Sequence, residues 1–477
     1  MSTRTHALLI ATLGSLACGG DGASTGPKAT GIRIIAGAGA NDTVQARPLQ
    51  ALVVEVREGN VAMPGVGVRF ETLPATDTTR KGEFPVLTAA GAQGWFSNST
   101  SDTTDASGRA SVLVQLGTVA GEARLLVSAP ALRIADTARF TVRPGLATRV
   151  VMTAQDEEIS YGGSYDIGAA AADRFGNRRP DPVTFSSVST LGTVDATGKV
   201  QAAQETGQGR IVVSTGSIID TARFTVIPRV ILTFLYARDD GTWIGEGALD
   251  GSSIRPRVPS STPGYPSASP TSASIVFQRP SGPFYKIFVV DSGGTERDLL
   301  QGAPFISAFY PRYSADGAYI YFSGRDSTGY AVWRVRNDGS GLERLVTTIS
   351  DIPSSSSSPD GAQLAYSDYD ALYVMNIVTG ARVNVGATGD FPVFSPDGQR
   401  LAYFSRAGIA VANSDGTSLR TLSIPRILKS DAGLAWLPDS KWLITRDWYT
   451  PILVNATTGE SFALQKIGYS YQIAVER

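Results

Sequence analysis

The chain has 477 residues, of which 51 are glycine and 18% are charged, and its formal net charge is −1. A near-neutral chain without a basic stripe offers no electrostatic footprint for nucleic acid, and this much glycine suits a turn-rich all-β protein. The sole histidine, His6, and the sole cysteine, Cys18, both lie near the amino end, which excludes Ser-His-Asp and Cys-His catalysis, His-ligated zinc and an internal disulfide from everything that follows.

Residues 1–17 begin with the basic Arg4, continue through the apolar run Ala7-Leu8-Leu9-Ile10-Ala11 and reach small residues before Cys18. That is the pattern of a secretory signal, too short to span a bilayer as a mature helix. Leu13-Gly14-Ser15-Leu16-Ala17-Cys18-Gly19-Gly20 resembles the lipobox of bacterial lipoproteins, with Ser15 where leucine is usual. The resemblance implies that Cys18 is lipidated, and Gly19 behind it implies sorting to the outer membrane. Residues 18–29, rich in Gly, Ser and Thr, are expected to form a flexible lipidated tether.

Residues 30–228 carry alternating strand-like runs separated by Gly, Asp, Asn and Thr turns, among them Gln50–Val56, Val66–Phe70, Ala110–Val114 and Ala123–Val127. Such alternation predicts antiparallel sandwiches. The heptapeptide Asp136-Thr137-Ala138-Arg139-Phe140-Thr141-Val142 returns unchanged as Asp220-Thr221-Ala222-Arg223-Phe224-Thr225-Val226, an offset of 220 − 136 = 84 residues. Two tandem domains, 30–144 and 145–228, follow from this offset. Pro64–Phe70 and Thr104–Ala110 in the first resemble the mid-domain motifs of bacterial Ig-like domains of the invasin and intimin type. Asp173–Asn177 and Gly192–Val200 resemble them in the second. The resemblance implies a stalk. Glu157 and Glu158, isolated in the second domain, are expected to be solvated.

From residue 229 to 477 a different repeat takes over. Ser314-Ala315-Asp316-Gly317, Ser358-Pro359-Asp360-Gly361, Ser395-Pro396-Asp397-Gly398 and a degraded Leu437-Pro438-Asp439-Ser440 each precede a short apolar-aromatic run, and Ser269-Pro270-Thr271-Ser272 is a weaker copy. Counted from Ser269 the copies start 45, 44, 37 and 42 residues apart. Ser at i, Pro at i+1 and Gly at i+3 suit a tight turn, and a second turn closes each unit, predicting a meander of about four strands. A period of ~40–45 residues is that of one propeller blade. Ile231–Tyr236 and Trp243-Ile244 are expected to begin a further unit, completed by the spare strand Tyr471–Val475. The count is six blades, with seven as the alternative because Pro256–Tyr265 is turn-rich. The pattern, best at Pro392–Tyr403, resembles TolB-like β-propellers.

The expected fold is therefore all-β: two tandem Ig-like β-sandwiches followed by a six-bladed β-propeller. The Asp residues of the repeats are turn formers by position, the serine run Ser354–Ser358 is expected to be a flexible loop, and Trp436, Trp442 and Trp448 are expected to pack. Tyr265, Tyr310 and Phe391 recur before the innermost strands, each followed by proline. Packing is their first reading; with Arg312 they are also expected to ring one mouth of the central channel, the surface on which a partner would dock. The function expected is a lipid-anchored cell-envelope binding or scaffold protein, its stalk presenting the propeller to a protein or glycan, in the outer membrane and facing periplasm or exterior. No enzymatic activity, cofactor or metal is expected. The alternative is a carboxylate- or metal-dependent propeller hydrolase or lactonase.

Overall fold

Alternating apolar and polar residues become strand throughout: a computed structural model shows an all-β protein, with no α-helix among the described residues. The structure describes residues 29–477 apart from 49, 76–79, 81–82, 90–94, 239–240, 259–263, 350–351, 370, 387–388, 425–432, 448–449, 468–469 and 476–477. Cys18, the leader, nearly all of the tether and Trp448 lie outside the described residues. By compactness the chain divides into two units, residues up to Val151 with Ala170–Pro182, and Met152–Ala169 with Val183 onward.

In the first unit, one sheet runs Thr30–Ala36, Leu52–Glu58, Arg109–Leu116, Val86–Ala89, with Val61–Ala62 beside Leu52–Glu58. A second runs Asn41–Thr43, Ile134–Arg143, Gly121–Ala129, Gly67–Thr72, Ser99–Thr103. Alternate residues of both sheets, including Leu52, Val54, Val56, Phe70, Val112, Val127 and Phe140, form one apolar core. In the same unit the buried carboxylate of Asp173 accepts hydrogen bonds from the backbone N–H groups of Gly145 (2.8 Å), Phe175 (2.9 Å) and Asn177 (3.0 Å).

The repeated heptapeptide has the same surroundings twice. Ile134–Arg143 pairs antiparallel with Gly121–Ala129 and parallel with Asn41–Thr43. In the second unit Ile218–Ile227 pairs antiparallel with Gly207–Thr215 and parallel with Asp156–Ser160. In both copies Ala, Phe and Val point inward: Ala138, Phe140 and Val142 are buried, as are Ala222, Phe224 and Val226. The arginine between Ala and Phe points out in each copy and takes a surface carboxylate, Glu122 for Arg139 and Asp156 for Arg223. Identical sequence here reflects an identical slot. Glu158, expected to be solvated, is instead buried. Its carboxylate accepts the backbone N–H groups of Gln465 and Lys466, and the Lys466 ammonium donates to its carbonyl at 2.6 Å. Partners so distant in sequence satisfy it that no local pattern marks it.

From Ile231 onward the described residues form six four-stranded antiparallel sheets. Five are consecutive meanders: Gly264–Ala268 to Glu296–Asp298, Ser307–Tyr313 to Glu343–Thr347, Ser355–Ser357 to Arg382–Gly386, Asp390–Phe394 to Arg420–Leu422, and Ala435–Trp436 to Ser461–Ala463. The sixth joins distant stretches: Ser470–Val475 pairs with Ile231–Arg238, Leu232 lying opposite Val475. Ser470–Val475 also adjoins Gly264–Ala268 on one side and Ala435–Trp436 on the other, and the sheets contact one another in a cycle, Ser355–Ser357 meeting its preceding sheet at Tyr319–Asp326. Between neighbouring sheets lie apolar layers, such as Val276, Ile287, Ala308, Ile320 and Phe322, which neither sheet could bury alone. Ser355–Ser357 is one of these first strands and not a loop. Small hydroxyl side chains suit the crowded centre, where Ser354 and Ser355 are buried.

Candidate functional site in the central cavity

Each of the five meanders has a backbone slot four residues before its turn position, and these slots hold Tyr265, Tyr310, Ser354, Phe391 and Gly433. Tyr265, Tyr310 and Phe391 have φ of 51°, 52° and 52°, the left-handed region, and Gly433 follows at 63°. At the three aromatic slots the pairing with the second strand skips, between Gly264 and Ser267, Phe309 and Arg312, and Asp390 and Val393. Each is a β-bulge, and the prolines that follow lose nothing by leaving the ladder because they have no N–H to donate. A bulge bends the strand and re-aims its side chain, so three rings from three sheets converge.

The rings pack on one another. Tyr265 meets Tyr310 edge-on with centroids 4.5 Å apart, and Tyr310 meets Phe391 edge-on at 5.2 Å. Tyr265 and Phe391 lie parallel, 2° apart in plane and 6.0 Å between centroids. A left-handed conformation costs an L-residue about 1–2 kcal/mol, and an aromatic pair returns about 0.5–1.5 kcal/mol. The cluster therefore roughly offsets its own strain. Neighbouring sheets fix the strained backbone as well: Tyr310 N–H donates to Gln278 Oε1 at 2.8 Å and Phe391 N–H to Ser354 Oγ at 2.7 Å.

These residues cap one end of a cavity of about 150 Å³ whose lining runs along the first strands to turn residues such as Pro270, Ala315 and Pro396 at the other end. All four residues singled out from sequence, Tyr265, Tyr310, Arg312 and Phe391, line it. Sequence reasoning missed Ser354, Ser356, Gly433 and Trp436, which line it too. Aligning every copy on its turn position would have found Ser354 and Gly433, since they fill the same slot with unlike side chains. Trp436 is held by a hydrogen bond from its Nε1 to the Val393 carbonyl at 3.0 Å.

Arg312 stands two residues beyond Tyr310. It is half-buried by surface yet enclosed by protein, and that desolvation alone lowers its pKa from the usual guanidinium range to about 10. Among the described residues no hydrogen-bond or ion-pair partner meets its guanidinium, and no Asp, Glu, Lys or second Arg lines the cavity. Burial likewise pushes the neighbouring Tyr313 hydroxyl up to about 12. Chemically the site is an apolar and hydroxyl-lined recess with one uncompensated positive charge. The described residues hold no group of three or more His, Cys, Asp or Glu that could ligate a metal.

No family model matches the chain. It is 28% identical over 197 residues to an uncharacterised protein of Agrobacterium fabrum, covering 35% of this chain and 65% of that relative, so it spans less than two thirds of the relative's length. Among solved structures it is similar to TolB from Acinetobacter baumannii (TM-score 0.46, 11% identity, 69% of this chain and 99% of that one). It is also similar to a putative TolB from Agrobacterium tumefaciens (0.39, 16%, 51% and 91%) and to a gluconolactonase from Xanthomonas campestris (0.34, 16%, 44% and 76%). At these identities and scores, none of the three assigns a role to a residue of this chain.

Proposed function

We propose that this protein is a lipid-anchored cell-envelope binding or scaffold protein of the outer membrane. In this reading Cys18 carries the lipid, residues 30–228 form two Ig-like sandwiches acting as a stalk, and the six four-stranded sheets are the blades of a TolB-like β-propeller. The propeller presents its central cavity to a protein or glycan partner. One observation carries the reading: Tyr265, Tyr310 and Phe391 hold left-handed backbone at equivalent slots of three sheets and meet at one end of the cavity. Backbone strain of this kind persists where the surroundings enforce it and clusters at ligand sites, and tyrosine is a favoured anchor at interfaces. A carboxylate- or metal-dependent hydrolase would draw on acidic side chains facing the cavity, and none of the described lining residues is acidic.

The test removes rings without adding strain. Tyr265→Gly and Phe391→Gly suit a φ near +50° better than alanine does, because glycine has no Cβ to clash there. The double variant should fold with little change in Tm and lose capture of the envelope partner by roughly thirtyfold or more, the size of a hot-spot loss. Undiminished capture by the folded double variant overturns the assignment of this surface.

A further inference from the structure

We infer that the cavity receives one carboxylate, with Arg312 as its counter-ion, and that this carboxylate arrives on an acidic side chain or chain end of a protein partner. The inference rests on the docking reading above and gives it a chemistry. Elsewhere in the same unit, covered arginines are paired. Arg257 meets Glu246 at 2.7 Å, Arg279 meets Glu296 at 2.8 Å, Arg334 meets Glu343 at 2.7 Å and Arg344 meets Asp326 at 2.7 Å. Arg312 breaks that practice inside the cavity, since among the described residues nothing accepts from it. An enclosed cation without an acceptor destabilises the protein that keeps it, unless a ligand supplies the missing charge.

The single charge also selects the ligand. One guanidinium balances one negative charge and offers a planar fork that matches a carboxylate bidentately. A phosphate dianion would leave charge uncompensated in a recess with no second cation among its described lining residues. The hydroxyls of Ser267 and Ser356 stand at the position of Arg312 in two other first strands and line the same recess. A sugar acid is the less fitting source, because a pyranose needs an open aromatic face. Here Tyr265 and Phe391 lie parallel to each other, and Tyr310 packs steeply inclined against both.

The test uses the full chain with Arg312→Met and Arg312→Lys. Probes are N-acetylalanine for a chain end, N-acetylaspartate amide for a side chain, methyl glucuronide and inorganic phosphate, all at matched ionic strength. Without a probe, Arg312→Met should melt higher than wild type, which also shows that it folds. Wild type should show a saturable rise in Tm with the two amino-acid carboxylates, Arg312→Lys a smaller one and Arg312→Met none. Arg312→Met should also weaken capture of the protein partner roughly tenfold or more, as loss of a charge-assisted pair implies. An equal rise in Arg312→Met, no rise with any carboxylate, or a preference for phosphate or glucuronide overturns the inference. If the ring variants lose capture while Arg312→Met keeps it, the docking reading stands and this one falls. If none loses capture, the docking reading falls.

Discussion

Glu55 shows what a single residue contributes when its partners are supplied by the fold. Its carboxylate is covered by Arg57 at 2.8 Å, Arg33 at 2.9 Å and Arg109 at 3.5 Å. The hydrogen bond from Arg57 acts most strongly, the one from Arg33 adds to it, and together they overcome the opposing desolvation to lower the pKa from 4.5 to about 2. A carboxylate more acidic in the folded state than in the unfolded one stabilises the fold above its unfolded pKa and ceases to as pH falls through the folded value. Calorimetry of wild type and Glu55→Gln should therefore show a gap in Tm that is constant above pH 5 and closes between about pH 4.5 and 2. A gap independent of pH would mean the arginines do not act through the charge. Arg312 is the converse case, an ionic side chain whose partner the fold withholds.

At the scale of the element, the recurring turns explain why the repeat is so visible. In Ser314–Gly317, Ser358–Gly361 and Ser395–Gly398 the serine carbonyl accepts the glycine N–H at 3.0, 2.9 and 2.8 Å. The glycines have φ of 69°, 69° and 72°, and in the degraded copy Ser440 holds 54°. Each serine hydroxyl donates to the turn aspartate and accepts the N–H of the residue opening the next strand, as Ser395 does with Asp397 at 2.5 Å and Arg400 at 2.9 Å. Ser395 is fully buried, so Ser395→Ala strips the Arg400 N–H of its hydroxyl acceptor, while exposed Asp397 keeps the Gln399 N–H, and the change should cost about 1–3 kcal/mol. Hydrogen exchange at the Arg400 amide should accelerate most. Unchanged protection there would show that the hydroxyl is dispensable.

Such turns are legible in sequence because every atom they need lies within six residues. The heptapeptide strands are legible for a similar reason, since a strand's burial pattern is written in its own alternation. Ser354 and Gly433 were not, because a slot defined by backbone geometry tolerates unlike side chains. Glu158 was misread because its acceptor duty is to Gln465, 307 residues away. The unpaired state of Arg312 leaves no trace in sequence at all: it depends on which residues from several sheets fail to reach it.

For the whole molecule, the sheet shared by Ile231–Arg238 and Ser470–Val475 decides whether the cycle of sheets holds. A chain ending at residue 469 would leave Ile231–Arg238 with an open edge, which invites pairing with other chains. That chain should melt lower and aggregate on concentration, measured by light scattering beside the full chain. If it stays monodisperse with an unchanged Tm, the shared sheet does not hold the cycle shut.

The same pairing sets a schedule. A ribosome makes Ile231–Arg238 first and then must add about 230 residues before Ser470–Val475 exists. At roughly 5–20 residues per second, that interval lasts on the order of ten to fifty seconds. Throughout it the nascent chain exposes a hydrophobic, unpartnered edge that holdases and proteases can find. Selection on this protein during synthesis therefore falls on how well the early strand waits, and a premature stop anywhere in those residues yields a product marked for disposal by its own beginning.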